Sequence, residues 1–242
     1  MTIKKLLRVD TWDFIPPTVN WLTEIRNSQQ PSLSDEIRAG INYSIILNSA
    51  CYIEGALEAG IKGISDKKHS MYHKLEKNDL EVRKTLNIFT NNLHEDLDTR
   101  ISRTTGAENY SNLFEIIVGT PLNSFEKVKP LWEGVRVLFH FRNMIAHGRR
   151  IEIDYTLSRM QGKKEVWLEE FSGGYSKVEE YLLKNLLISV KFGEQENAGL
   201  FFDDKIADHF WKLAQDTIMA ITQSLTGVDY TAFTAALYPP ES

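Results

Sequence analysis

Residues 130–148 read PLWEGVRVLFHFRNMIAHG, an apolar stretch in which a few polar residues recur at helical spacing. Pro130 suits the first turn of a helix, where its missing N–H costs no hydrogen bond, and Gly148 is a natural stop. The stretch therefore predicts a largely buried helix over 130–147. A helix that is apolar over most of its surface must be covered by other helices, so a helical bundle is expected.

The remaining sequence supplies such helices. Ser34, followed by two acidic residues, predicts the start of a central helix that runs to about residue 61 or 64. Apolar residues three or four apart predict further helices over about 69–104, 110–118, 175–190, 204–225 and 230–237. Alternating residues over 149–157 and 163–171 predict a small β-hairpin. The predicted fold is mainly α, with a β-hairpin inserted near 149–171.

The N-terminal residues differ from the rest. Residues 1–31 are expected to form an irregular arm because prolines punctuate them, at positions 16, 17 and 31. The large apolar side chains of the arm are expected to pack onto the body: Trp12, Phe14, Trp21 and Leu22. Residues 32–242 are then expected to form one helical domain.

Composition sets the class of protein. Hydrophobic residues make up 42% and charged residues 25% of the 242 residues, as in a soluble globular protein. The single cysteine, Cys51, cannot form an internal disulfide and is expected to be a buried apolar residue. Without a signal-peptide pattern or a stretch of about 20 apolar residues, we expect a cytoplasmic protein that does not enter a membrane. The net charge of −5 disfavours a broad nucleic-acid-binding surface but permits a small basic site.

The polar residues of the 130–147 helix fall on one face. At 100° per residue, His140, Asn143 and His147 point the same way, and Arg136 lies beside them. Arg142 lies about 140° from His147, on the apolar side. A guanidinium there has three possibilities: it pairs with a carboxylate, it reaches around to the polar face, or it faces a second subunit. Glu54 and Glu58 of the central helix are the candidate carboxylates.

These residue types suit chemistry at a phosphodiester. His147 would occupy the last helical turn and could titrate near neutrality as a general acid or base. The planar fork of Arg142 suits a phosphate. Arg149 and Arg150 follow directly and could contact an RNA backbone, or could simply lie where the helix C-terminus favours cations.

The segment Phe141–Gly148 resembles the HEPN family, whose Arg-polar-x3-His signature is matched by Arg142, Asn143 and His147. The stretch 52–56, YIEGA, also resembles that family. The resemblance implies a metal-independent endoribonuclease that forms a homodimer with a composite cleft, acts in toxin–antitoxin or antiphage defence, and has an antitoxin or defence-system partner. It makes Arg142 and His147 catalytic, with Asn143 orienting them. Supporting roles are expected for His140 and Glu54, and RNA contacts for Arg136, Arg149 and Arg150.

Two alternatives to catalysis stay open. Some HEPN-like proteins are non-catalytic, so the chain could be a module that binds a protein partner or a nucleotide. Arg142 would then pair with a carboxylate, and His147 would cap a helix end. No metal site is expected, because His69 and His73 lack a third ligand at fixed spacing. No cofactor is expected, since the sequence has no phosphate-binding glycine loop. His94 is assigned to a solvated acidic face and His209 to packing.

Overall fold

The computed structural model describes residues 11–28, 33–75, 93–146, 153–161, 164–171, 175–189 and 202–238. Short 3₁₀ helices span Thr11–Phe14 and Leu122–Ser124. The α-helices are α1 (Ile15–Ser28), α2 (Asp35–Leu75), α3 (93–103), α4 (Ala107–Val118), α5 (Lys129–Ala146), α6 (Tyr175–Lys184), α7 (Asp204–Ser224) and α8 (Gly227–Leu237). The prediction of a mainly helical bundle is confirmed.

Helix α2 is the centre of the bundle, as its apolar residues on every side predict. It contacts α1, α4, α5, α7 and α8, and its isoleucines at 45, 46, 53, 61 and 64 are fully buried. Ser34 Oγ accepts a hydrogen bond from the N–H of Ile37 at 3.4 Å, which supports the predicted start. The helix extends beyond the predicted end at 64. Gly60 and Gly63 do not end it; their missing side chains let α8 approach closely, with Phe233 where a Cβ of Gly60 would lie.

The predicted irregular arm is wrong over residues 11–28, which are helical. Pro16 and Pro17 lie in the first turn of α1, where the missing N–H groups have no intrahelical partner in any case. Leu22 packs against the core as predicted. Phe14 and Trp21, predicted to pack, are 61% and 60% exposed. The side chain of Trp12 lies outside the described part of the chain.

The predicted single helix over 69–104 is also wrong. His69 belongs to α2, and its ring lies 4.3 Å from the ring of His94 in α3, centroid to centroid. One continuous helix would hold these residues about 38 Å apart. Residues 76–92 lie outside the described part of the chain.

Helices α4 and α5 follow the sequence prediction closely. Gly119 ends α4 in the left-handed conformation, with φ of 87°, and its N–H donates to the carbonyl of Glu115. Helix α5 begins one residue before Pro130 and is described to Ala146. Val135, Leu138 and Phe141 point into the core, so α5 is buried on its apolar side as expected.

Two strands pair antiparallel between α5 and α6. They are β1 (Ile153–Gln161) and β2 (Lys164–Phe171), in register from Ile153 opposite Phe171 to Gln161 opposite Lys164, with an irregularity between Leu157 and Arg159. Residues 147–152 and 162–163 lie outside the described residues, so the placement of a hairpin as an insert in the bundle stays a prediction. Helix α6 ends at Lys184, earlier than the predicted 190.

None of the helices in the described ranges is both long and apolar enough to cross a membrane.

Candidate functional site

Arg142 points from α5 toward α2, where it pairs with Glu54. Its Nη2 lies 2.6 Å from Glu54 Oε2, and the two side chains are 22% and 13% exposed. A carboxylate partner on α2 was one of three possibilities for Arg142, and the structure confirms it with Glu54, one of the two candidates. Glu58, the other candidate, is exposed. Arg142 therefore finds its counter-charge within its own chain.

Glu54 is only partly satisfied by this pair. Its second oxygen, Oε1, is buried and has no hydrogen bond of standard geometry among the described residues, although the backbone N–H of Gly106 points toward the carboxylate. Burial raises the pKa of Glu54, and the positive charge of Arg142 offsets only part of that rise. The carboxyl group therefore holds a proton more readily than a solvated glutamate does.

Two further side chains border the pair. Cys51 is half-buried, and burial together with the charge of Glu54 raises its pKa, while Arg142 lowers it. Tyr110 of α4 is 2% exposed, and burial raises its pKa as well. Both groups therefore stay protonated near neutral pH. Cys51 lies three residues before Glu54, a helical spacing that brings it beside the same site; no sequence pattern pointed to Tyr110.

Asn143 completes the contacts of the guanidinium. Arg142 Nη1 donates to Asn143 Oδ1 at 2.9 Å, while Asn143 itself is exposed. Glu54 and Asn143 thus hold two nitrogens of one guanidinium in the last turn of α5. The orienting action of Asn143 in a reaction stays a prediction.

The polar face of α5 is more heavily paired than the sequence suggests. Arg136 Nε lies 2.9 Å from Glu108 of α4, and Glu133 pairs with Lys184 of α6. His140 is half-buried, and burial lowers its pKa, with Lys177 and Arg136 adding to the effect. His140 is therefore largely neutral near pH 7. His147, Arg149 and Arg150 lie outside the described residues, so their distances from Arg142 stay predictions.

A second histidine, His209, lies on α7 and packs against α6 as predicted. Its Nε2 is 2.8 Å from the hydroxyl of Tyr181. Burial raises the pKa of Tyr181 to about 12, with the charge of Glu133 adding to it. The phenol therefore stays protonated, and burial lowers the pKa of His209, so this hydrogen bond joins two neutral groups near pH 7.

Acid is expected to destabilise the fold below about pH 6.5, the ordinary pKa of histidine. Because the pKa values of His140 and His209 are lowered in the folded chain, the unfolded chain binds more protons in that window. The free energy of unfolding should therefore fall as the pH falls, measured by urea unfolding at several pH values between about 7.5 and 5.5. His209→Gln should reduce this dependence. An equal dependence in the variant would contradict the assignment to His209.

No family model, curated protein or solved structure matches the chain. Membership of the HEPN family therefore stays a prediction, resting on the motif and on the helical architecture.

Proposed function

We propose that the chain is a metal-independent endoribonuclease of HEPN type, in which Arg142 binds the scissile phosphate and His147 transfers protons. The observation that carries this proposal is the position of Arg142. Its guanidinium is anchored by Glu54 and Asn143 yet keeps 22% of the side chain exposed, five residues before His147. The described hydrogen bonds use only part of the five N–H donors of a guanidinium, which leaves others for a phosphate.

The reaction needs no group beyond those the motif supplies. The 2′-hydroxyl of a nucleotide attacks its own 3′-phosphorus, the bond from phosphorus to the 5′-oxygen breaks, and a general acid–base such as His147 moves the proton. The arginine stabilises the negative charge that grows on the phosphoryl oxygens. The products are a 2′,3′-cyclic phosphate, which can open to a 3′-phosphate, and a 5′-hydroxyl.

The proposal includes a homodimer, whose composite cleft would join the motifs of two subunits. It also places the protein in the cytoplasm, in antiphage defence or a toxin–antitoxin system, with an antitoxin or defence-system partner. The intrachain pair between Arg142 and Glu54 removes one reason for a dimer, because Arg142 no longer needs a second subunit for charge compensation. Light scattering tests the dimer directly, and a monomer at micromolar concentration would exclude the composite cleft.

The deciding measurement is cleavage of RNA in EDTA by the wild type and by His147→Ala. We expect the variant to be slower by about 10²–10⁴-fold, the usual contribution of a positioned general acid–base group. His209→Gln, purified in the same way, is the matched control and should cleave at the wild-type rate. A wild type that cleaves nothing, or a His147→Ala variant that cleaves equally well, would exclude the proposed activity.

The same ion pair also favours a second candidate, a non-catalytic HEPN-like module that binds a protein partner or a nucleotide. A buried Arg–Glu pair can serve packing alone. In that case no preparation cleaves RNA, and Arg142→Ala lowers the melting temperature more than His147→Ala does.

A further inference from the structure

A second group of ionisable side chains lies on another part of α2, where α3 packs against it. Asp66 of α2 faces His94 and Asp98 of α3, and one potential ligand atom from each lies within 4.8 Å of the others. His94 Nε2 is 2.9 Å from Asp66 Oδ1, and His94 Nδ1 is 4.0 Å from Asp98 Oδ2. His94 is thus held between two carboxylates from two helices.

Three observations separate this cluster from an ordinary exposed ion-pair network. The Asp98 side chain is 35% exposed, but its Oδ1 is buried and has no hydrogen-bond partner among the described residues. The ring of His69, three residues after Asp66 on α2, packs against the ring of His94 and limits its rotation. A cavity of about 220 Å³, lined partly by His69 and His94, opens beside the cluster and gives room for water.

We propose that Asp66, His94 and Asp98 bind a divalent transition-metal ion of the zinc class. Imidazole nitrogen and carboxylate oxygen are ligands that zinc accepts, at about 2.0–2.2 Å, so ligand atoms around the ion lie about 3–3.5 Å apart. The side chains need only small movements to reach that spacing. Three protein ligands leave a position for a water molecule from the cavity.

The spacing of the ligands along the helices supports this assignment. His94 and Asp98 are four residues apart, which places both on one face of α3, toward α2. The cation would also add to the compensation of the Asp98 charge, since the ammonium of Lys62 lies as far as 3.9 Å from Asp98 Oδ2. Asp66 lies about 18 Å along α2 from Glu54, so this ion would stand apart from the proposed RNA site.

The test is titration of the untagged, EDTA-stripped full chain with Zn²⁺, followed by calorimetry and thermal melting. We expect one ion per chain, and at about 100-fold excess over the dissociation constant a melting temperature higher by roughly 5–10 °C. Co²⁺ in place of Zn²⁺ should give visible absorption. His94→Ala and Asp98→Asn should each weaken binding at least about tenfold, since each removes a ligand.

Asp96→Asn is the matched control. Asp96 lies on the same helix but pairs with the exposed Arg100, so its loss should leave Zn²⁺ affinity unchanged. Binding that is absent in the wild type, or that survives both ligand substitutions, overturns the proposal as adventitious surface binding. RNA cleavage is not part of this readout, so failure of the ribonuclease proposal and failure of the metal proposal are distinguishable.

Discussion

Arg26→Ala should lower the free energy of unfolding by about 2–3 kcal/mol, because it removes a buried guanidinium, its packing and its hydrogen bonds. Arg26 is 2% exposed, although it lies on the N-terminal helix α1. Its Nη1 donates to Asn42 of α2 at 2.8 Å, and its Nη2 donates to Asp208 of α7 at 2.6 Å. One side chain therefore joins three helices.

The partners of Arg26 are themselves linked, which adds to the expected effect. Asn42 Nδ2 donates to Asp204 Oδ1 at 2.8 Å and to the carbonyl of Phe202 at 2.6 Å, and Arg38 pairs with Asp204. The alanine variant leaves the buried amide oxygen of Asn42 without its donor. Asp208 is partly exposed and can regain water, which keeps the expected loss near the lower limit.

Urea unfolding followed by circular dichroism measures this loss, with an expected fall in midpoint of roughly 1–1.5 M. Arg100→Ala is the matched control, because the Arg100–Asp96 pair is exposed and should contribute less than about 0.5 kcal/mol. Hydrogen exchange of α1 amides shows whether the helix detaches alone. A change for Arg26→Ala no larger than that of the control would contradict the structural role of Arg26.

Local patterns predicted much of the bundle. The start of α2, the end of α4 and the start of α5 follow from a capping serine, a glycine stop and an N-terminal proline, because these features act within a few residues. The Arg142–Glu54 pair was among the predicted possibilities for a different reason. A carboxylate is one partner that an arginine on a buried helix face can take, and Glu54 and Glu58 were the candidates in the apolar helix α2.

Contacts between distant segments were not predictable in the same way. Helix α1 was missed because two prolines indicate a loop as readily as a first helical turn, and the partners of Arg26 lie 16 and 182 residues away. The contact of Asp66 with His94 bridges 28 residues, so the four-residue spacing of His94 and Asp98 alone did not point to Asp66. The contact between the rings of His69 and His94 could not be predicted either, because it depends on how α3 packs against α2.

Arg142→Ala should lower the free energy of unfolding by about 2–3 kcal/mol, because it leaves the buried carboxylate of Glu54 without a counter-charge. Glu54 already has one buried oxygen without a hydrogen bond, so the variant protein should protonate it. In the variant, the pKa of Glu54 in the folded chain lies further above its value in the unfolded chain. Protonated Glu54 therefore contributes stability at low pH that is lost as the pH rises. The deficit of Arg142→Ala should therefore be smaller near pH 5 than near pH 7.

Glu54→Gln keeps the shape of the side chain and removes its charge, so a cost of about 1 kcal/mol is expected. The double variant Glu54→Gln/Arg142→Ala should then be more stable than the sum of the two single effects predicts, by about 1–2 kcal/mol. Additive effects would show that the pair contributes no coupling. Urea unfolding of the four proteins, in buffers near pH 5 and pH 7, completes this cycle.

The same variants separate a structural arginine from a catalytic one. Arg142→Lys retains a cation for Glu54 and should recover most of the lost stability, but it lacks the planar fork that binds a phosphate. If Arg142 acts on RNA, the lysine variant is folded and slow. If the chain is the non-catalytic module, no preparation cleaves RNA and the lysine variant differs from the wild type only slightly in stability. Cleavage at the wild-type rate by a folded Arg142→Lys protein would remove Arg142 from the reaction while leaving its pairing with Glu54 intact.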